Sequence, residues 1–97
     1  MVDKILNIKI NKEEIKALCD CLSNINRLKI IEEIRKRDPE MSHKSIAKKV
    51  GIEASAVSYH LSPFITLGMI EETKEKGKRG RLRKVPRIKY DKIIIEL

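Results

Sequence analysis

The apolar positions change period twice along the chain, and those changes divide it into elements. Ile5-Leu6-Asn7-Ile8-Lys9-Ile10 is rich in β-branched residues and puts Leu6, Ile8 and Ile10 on one face, so a strand is expected there. The spacing then shifts to three and four. Asn11 reads as an N-cap, with Glu14 placed to complete a capping box. The first helix is expected over 12–22, with Ile15, Leu18 and Leu22 as its stripe. Ser23 or Asn24 interrupts and can cap a second helix over about 25–37, with Leu28, Ile31 and Ile34 along its inner face. Asp38-Pro39 ends that helix, because the residue before proline avoids the α region.

Ser42 caps a third, short helix over 43–50, with Ile46, Ala47 and Val50 inward. Gly51 breaks it, and Ile52 is the apolar residue of the turn. A fourth helix follows over about 54–67, with Val57, Leu61 and either Phe64 or Ile65 facing the core, and Gly68 is a good C′ residue. Period two then returns. Residues 69–75 and 81–85 read as two strands around Gly77-Lys78-Arg79-Gly80, whose glycines relieve the strain of a hairpin turn. Residues 93–97 close the chain with three isoleucines that favour a strand. The expected class is mainly α with a small antiparallel β-hairpin. One domain of 97 residues results: an N-terminal strand extension (1–11), a helical core (12–68), a hairpin (69–89) and a C-terminal strand (90–97).

Composition changes this picture once the charge is located. The net charge is +8, and residues 74–92 carry ten Lys or Arg against two acids, so the rest of the chain is neutral. A concentrated excess of this kind is the footprint of a polyanion-binding surface; a solvated basic tail is the competing reading. Abundant Lys, Ile and Glu suit a thermophile. No apolar run is long enough to span a bilayer, and Met1-Val2-Asp3-Lys4 does not look like a signal peptide, so a cytoplasmic location is expected.

A short helix, a glycine turn and a second helix over 42–70 have the spacing of a helix-turn-helix, in which the second helix reads the major groove. That geometry needs a small residue where the helices touch (Ala47), a chain reversal at Gly51, and anchors at Ile52, Val57 and Leu61. A generic helical bundle would share the spacing. The residues themselves resemble something narrower. Leu22-Ser23-Asn24-Ile25-Asn26-Arg27-Leu28-Lys29-Ile30-Ile31 is similar to the Leu-Ser-Asp-Pro-Thr-Arg-Leu-Arg-Ile-Leu run that opens ArsR-type winged helix-turn-helix repressors. Residues 45–52 resemble that family's first helix-turn-helix helix and turn. Ala56-Val57-Ser58-Tyr59-His60-Leu61 resembles its recognition-helix signature, and Leu67-Gly68-Met69-Ile70 its exit into the wing. The match runs over roughly residues 13–90.

The resemblance implies a homodimer on a pseudo-palindromic operator in double-stranded DNA, with base contacts from the exposed face of the fourth helix. Here that face carries Ser55, Ala56, Ser58 and Tyr59, none of them charged. Ser42 and Lys44, at the start of the third helix, are also expected among the DNA-contacting residues. The hairpin becomes a wing, and Lys78, Arg79, Arg81 and Arg83 in it suit phosphate forks or a narrow minor groove. His60 is expected to pack or hydrogen-bond beside the core, and His43 to meet a phosphate or solvent. Pro63 departs from the pattern: either it kinks the fourth helix, or Ser62 caps a new helical turn beginning at Pro63.

Cys19-Asp20-Cys21 raises the question of metal sensing. Metal-sensing members of the family often carry Cys-x-Cys in the first helix-turn-helix helix, where this chain has residues 45–49 and no cysteine. Side chains two apart on one helix point about 200° from each other, so both cannot chelate from it. Buried, reduced cysteines acting as small hydrophobes are expected, with no metal and no cofactor. No nucleophile-base set and no phosphate-binding glycine loop suggests an enzyme. A winged helix used for RNA or protein interaction is the alternative function. The terminal strands are expected to pair, within one subunit or across two, and to supply part of a dimer interface. Pro86 must lie at an edge or bend.

Overall fold

A computed structural model describes residues 4–9, 12–77 and 80–96. Strand β1 (Ile5–Lys9) leads into helices α1 (Lys12–Leu22), α2 (Ile25–Arg35), α3 (His43–Val50) and α4 (Ala54–Thr66). Strands β2 (Ile70–Lys76), β3 (Leu82–Ile88) and β4 (Lys92–Glu96) follow. Strands β2 and β3 form the antiparallel hairpin, and β1 and β4 form a separate parallel pair. The expected fold class therefore holds, and the expected pairing of the terminal strands occurs within one chain. The expected capping box at Asn11 lies outside the described residues.

Helix α2 starts where the Asn24 carboxamide oxygen accepts from the backbone N–H groups of Asn26 and Arg27, which selects Asn24 over Ser23 as the cap. It stops two residues before the expected end. Arg37 adopts a left-handed φ of 52°, and its N–H donates to the Ile34 carbonyl at 3.2 Å. The chain then turns through Asp38, whose carboxylate accepts from the Glu40 N–H at 2.8 Å and from Lys49 Nζ at 3.1 Å. These donors, the Glu40 N–H first and then Lys49, hold the Asp38 carboxyl below its ordinary pKa.

One apolar cluster joins the helices to the hairpin. Ile30 and Ile34 of α2, Ile46 and Ala47 of α3, Val57, Leu61 and Phe64 of α4, and Ile70 and Val85 of the hairpin all bury their side chains in it. Two expectations about its lining are corrected. Helix α2 turns Ile30 and Ile34 inward, with Ile31 only partly buried, and leaves Leu28 38% exposed. In α1, Cys21 rather than Leu22 enters the cluster, while Cys19 is exposed. Only one of two residues two apart can face inward, so the expectation of a buried pair holds for Cys21 alone. Burial comes first among the influences that raise the Cys21 thiol pKa, so the thiol stays protonated.

Helix α4 runs through Pro63 without restarting at Ser62. The lost N–H partner falls on the carbonyl of Tyr59, an exposed residue, where water can replace it. Ser62 sits inside the helix, and its carbonyl accepts from Thr66 Oγ1 at 3.1 Å. The helix ends in a Schellman arrangement. The Met69 N–H donates to the Phe64 carbonyl at 2.9 Å and the Gly68 N–H to the Ile65 carbonyl at 3.0 Å, with Gly68 at φ 76°. This motif turns the chain directly into β2. Pro86 lies in β3 opposite Glu72, and in a two-stranded sheet every strand is an edge that tolerates a missing N–H.

Phe64 is wholly buried and Ile65, beside it, is 40% exposed. Phe64→Ala is expected to cost about 3–5 kcal/mol of unfolding free energy. Ile65→Ala should cost under about 1 kcal/mol. Urea denaturation of the two variants checks the assignment.

Candidate nucleic-acid interface

The angle between α3 and α4 is set by a turn with two hydrogen bonds on one acceptor. The Ala47 carbonyl receives the Gly51 N–H at 2.8 Å and the Ile52 N–H at 3.0 Å. Gly51 sits at φ 85°, where a side chain is strained even though no neighbouring atom crowds that position. Ser42 caps α3 reciprocally: its Oγ accepts from the Ser45 N–H at 3.1 Å, and its own N–H donates to Ser45 Oγ at 2.9 Å. Ser42 is thus committed to the helix start, while Lys44 beside it is exposed.

With Val57, Leu61 and Phe64 turned inward, helical geometry sends Ser55, Ser58 and Tyr59 outward. Ala56 is half-buried between these faces. Tyr59 is 69% exposed, and its ring meets His60 edge-on with centroids 5.5 Å apart. His60 Nδ1 accepts from Arg27 Nε at 3.1 Å, and Arg27 also donates to the Asp20 carbonyl at 3.2 Å. Burial first, then the Arg27 charge, lowers the His60 pKa and keeps the ring neutral. Arg27 therefore ties α1 to α4 behind the exposed face. His60 behaves as expected. His43 is partly exposed, and its Nε2 lies 3.0 Å from Glu72 Oε1, so the ring joins α3 to β2 rather than presenting an open anion site.

The hairpin divides its charges by face. Register places Lys74 opposite Lys84 and Lys76 opposite Leu82, so the three lysines share one side of the pleat. All three are exposed, as is Arg81, and among the described residues none has an ion-pair partner. Like charges directly across a strand pair are unfavourable by roughly 0.2–1 kcal/mol, so this face keeps a cost that a bound polyanion would remove. The other side is self-neutralised. Arg87 forms a two-pronged contact with Glu75, Nε to Oε2 at 3.0 Å and Nη2 to Oε1 at 2.8 Å, and Thr73 Oγ1 donates to Glu75 Oε2 at 2.6 Å.

Arg83 was expected among the contacting cations and is instead turned onto the helical body. It donates to the Pro39 carbonyl and, at 3.4 Å, to Glu40 Oε2. Lys78 and Arg79, also expected among the contacting cations, lie outside the described residues. Sequence reading missed the braces His43–Glu72, Arg83–Pro39 and Arg87–Glu75. The one available signal was the presence of Glu71, Glu72 and Glu75 in a predominantly basic hairpin. Partners 29 and 43 or 44 positions apart leave no local periodicity to read. Among the described residues, no group of three His, Cys, Asp or Glu is arranged to hold a metal ion.

A capped short helix, a left-handed turn, a second helix with an open polar face and a basic hairpin leaving its end define a winged helix-turn-helix DNA-binding domain. The model of the winged helix-turn-helix DNA-binding family matches residues 23–71, half of the chain, and the protein belongs to that family. Among solved structures, the fold is similar to a homodimeric winged helix-turn-helix DNA-binding domain from Mycobacterium bovis, described as a possible ArsR-family transcriptional regulator. The two superpose with a TM-score of 0.62 at 24% identity, over 78% of this chain and 64% of that one. The match thus spans under two thirds of that chain, and at such identity the likeness is one of fold. No curated protein matches the sequence.

The Arg87 guanidinium, followed by the Thr73 hydroxyl, lowers the Glu75 pKa from 4.5 to about 2. A depressed carboxylate stabilises the fold above its unfolded pKa and loses that contribution as pH falls through the folded value. The wild-type melting temperature should therefore fall between pH 4.5 and about 2 more steeply than that of Glu75→Gln. Thermal unfolding monitored by circular dichroism checks this, and equal slopes would show that the contact does not hold the hairpin.

Proposed function

We propose that this domain is a sequence-specific transcriptional regulator that binds double-stranded DNA as a homodimer. In this reading the N-terminal half of α4 lies in the major groove, where Ser55, Ala56, Ser58 and Tyr59 meet base edges and phosphates. The wing follows the adjacent backbone or minor groove through Lys74, Lys76, Arg81 and Lys84, with Lys78 and Arg79 at its tip. Lys44, exposed at the start of α3, meets a phosphate, and the Ser42 backbone helps set the helix against the duplex. The carrying observation is the uncompensated lysine face of the hairpin, which leaves the end of the open face of α4 through a rigid Schellman turn. Family membership supports DNA as the polyanion. The homodimeric state of the Mycobacterium bovis domain supports the assembly.

The roles differ in kind. Lysine and arginine on phosphates give affinity with little sequence information, whereas hydroxyls and the Ala56 methyl can discriminate base edges. Arg83 belongs to neither group, since its guanidinium braces the hairpin against the loop before α3. About four to six phosphate contacts per copy give a slope of log affinity against log salt of about −4 to −5 per copy.

Titration of labelled duplexes from random-pool selection, at several salt concentrations, tests the proposal. Arg81→Ala and Lys84→Ala should weaken all duplexes alike and each reduce the salt slope by about 1. Ser58→Ala and Tyr59→Ala should change the ranking among duplexes. Tighter binding to structured RNA than to any duplex would instead favour the RNA-binding use of the fold, and a uniform loss from the α4 variants would remove its base-reading role.

A further inference from the structure

The terminal sheet is poorly provided for within a single copy. Strands β1 and β4 pair in parallel from Ile5↔Lys92 to Lys9↔Glu96, clamped where the Asp91 N–H donates to the Lys4 carbonyl at 2.7 Å. Parallel sheets are ordinarily covered on both faces, and an isolated two-stranded sheet is marginal in water. Here Ile94 is 43% and Ile95 44% exposed, on opposite faces of β4. Among the described residues, the edge of β4 away from β1 carries no strand. An open edge of this kind is a template for another chain.

The sequence of β4 specifies which chain fits. Read around Ile94, Lys92-Ile93-Ile94-Ile95-Glu96 has opposite charges at symmetric positions and isoleucine between them. Antiparallel pairing of two copies about a two-fold axis at Ile94 sets Lys92 against Glu96 twice, Ile93 against Ile95 twice, and Ile94 against itself. Shifting the register by two residues loses both charge pairs. The same operation on β1 is not complementary, since it sets Ile5 against Lys9 around Asn7.

We propose that β4 is the homodimer contact, pairing antiparallel with β4 of a second copy to make a four-stranded sheet in the order β1-β4-β4-β1. This rests on the homodimer reading above and names its surface. The junction is isologous, as a two-fold contact must be. The pleat then joins Leu6, Ile8, Ile93 and Ile95 of both copies into one aliphatic face. Ile93 on that face lines a groove of about 920 Å³ whose walls mix Leu22, Ile31, Met69 and Ile88 with Arg35 and Arg37, so the surface beside the strand edge offers both apolar and polar contacts. The charge of β4 agrees: its Lys92 and Glu96 cancel, so the strand itself is neutral although it adjoins the basic segment.

Charge exchange tests the register. Sedimentation equilibrium of the full chain should show a dimer whose dissociation constant rises about tenfold or more in Lys92→Glu and in Glu96→Lys, each of which creates two like-charge pairs. The double variant Lys92→Glu/Glu96→Lys should restore dimerisation. An equimolar mixture of the two single variants should form the heterodimer, because opposite charges again face each other. Mixing cannot repair damage within a copy, so recovery on mixing isolates the contact between copies even where a single variant is poorly folded. A wild-type dimer with all variants within about twofold of it, or no recovery in either the mixture or the double variant, overturns the β4 contact and leaves the homodimer reading standing on another surface. A wild-type monomer at every concentration overturns both.

Discussion

The approach of α3 to α4 at Ala47 is the constraint on which the rest of the structure depends. Its methyl lets the two helices close, and its carbonyl accepts both N–H groups that reverse the chain, Gly51 and Ile52. A larger side chain at position 47 would part the helices, and a β-carbon at position 51 would resist the left-handed turn. Everything outward follows from that angle. Val57, Leu61 and Phe64 fill the cluster because α4 lies where it does, and the residues between them form the open face because those three are inside. The Schellman end of α4 then carries the same orientation into the hairpin.

The hairpin illustrates why total charge is a poor guide to a binding surface. Ten basic residues lie between Lys74 and Lys92, yet Arg83 and Arg87 are spent on internal contacts. Those contacts work in the same direction as the free charges. Arg83 holds the hairpin to the loop before α3, His43–Glu72 holds it to α3 itself, and Glu75–Arg87 stiffens its own face. A wing pinned to the body at two points and stiffened along one face loses less conformational entropy when it meets a duplex than a mobile one would. The free lysines gain by being presented on a surface that is already placed.

How much of this was legible depended on the range of the interactions. The helices were readable because periodicity, caps and turn glycines act within four residues: Ser42, Gly51 and Gly68 stand where the pattern put them. Details that depend on which neighbour lies opposite were not readable. Leu28 and Ile30 are both apolar on α2, and only the position of α4 and β3 decides that Ile30 is buried. Arg83 and Arg81 look equivalent in the sequence, and only the loop at Pro39 separates a brace from a free cation. The pairing of the terminal strands could be anticipated, but its parallel sense within one chain could not, since composition carries no information about strand direction.

The uncharged face of α4 imposes a further requirement on the assembly. Without arginine or lysine there, no two-pronged contact to guanine is available from that face, and each base contact by a hydroxyl or methyl is modest. In the proposed reading, a single copy derives most of its affinity from phosphate contacts of the wing, which carry little sequence information. Two copies held rigidly together change the balance. Their base contacts add across two half-sites, while the spacing between the recognition helices rejects sites of the wrong length. In the proposed homodimer, specificity is a property of how the two copies are joined as much as of what α4 presents. A contact fixed by strand register, which cannot slide by one residue without reversing every side chain, is well suited to hold that spacing.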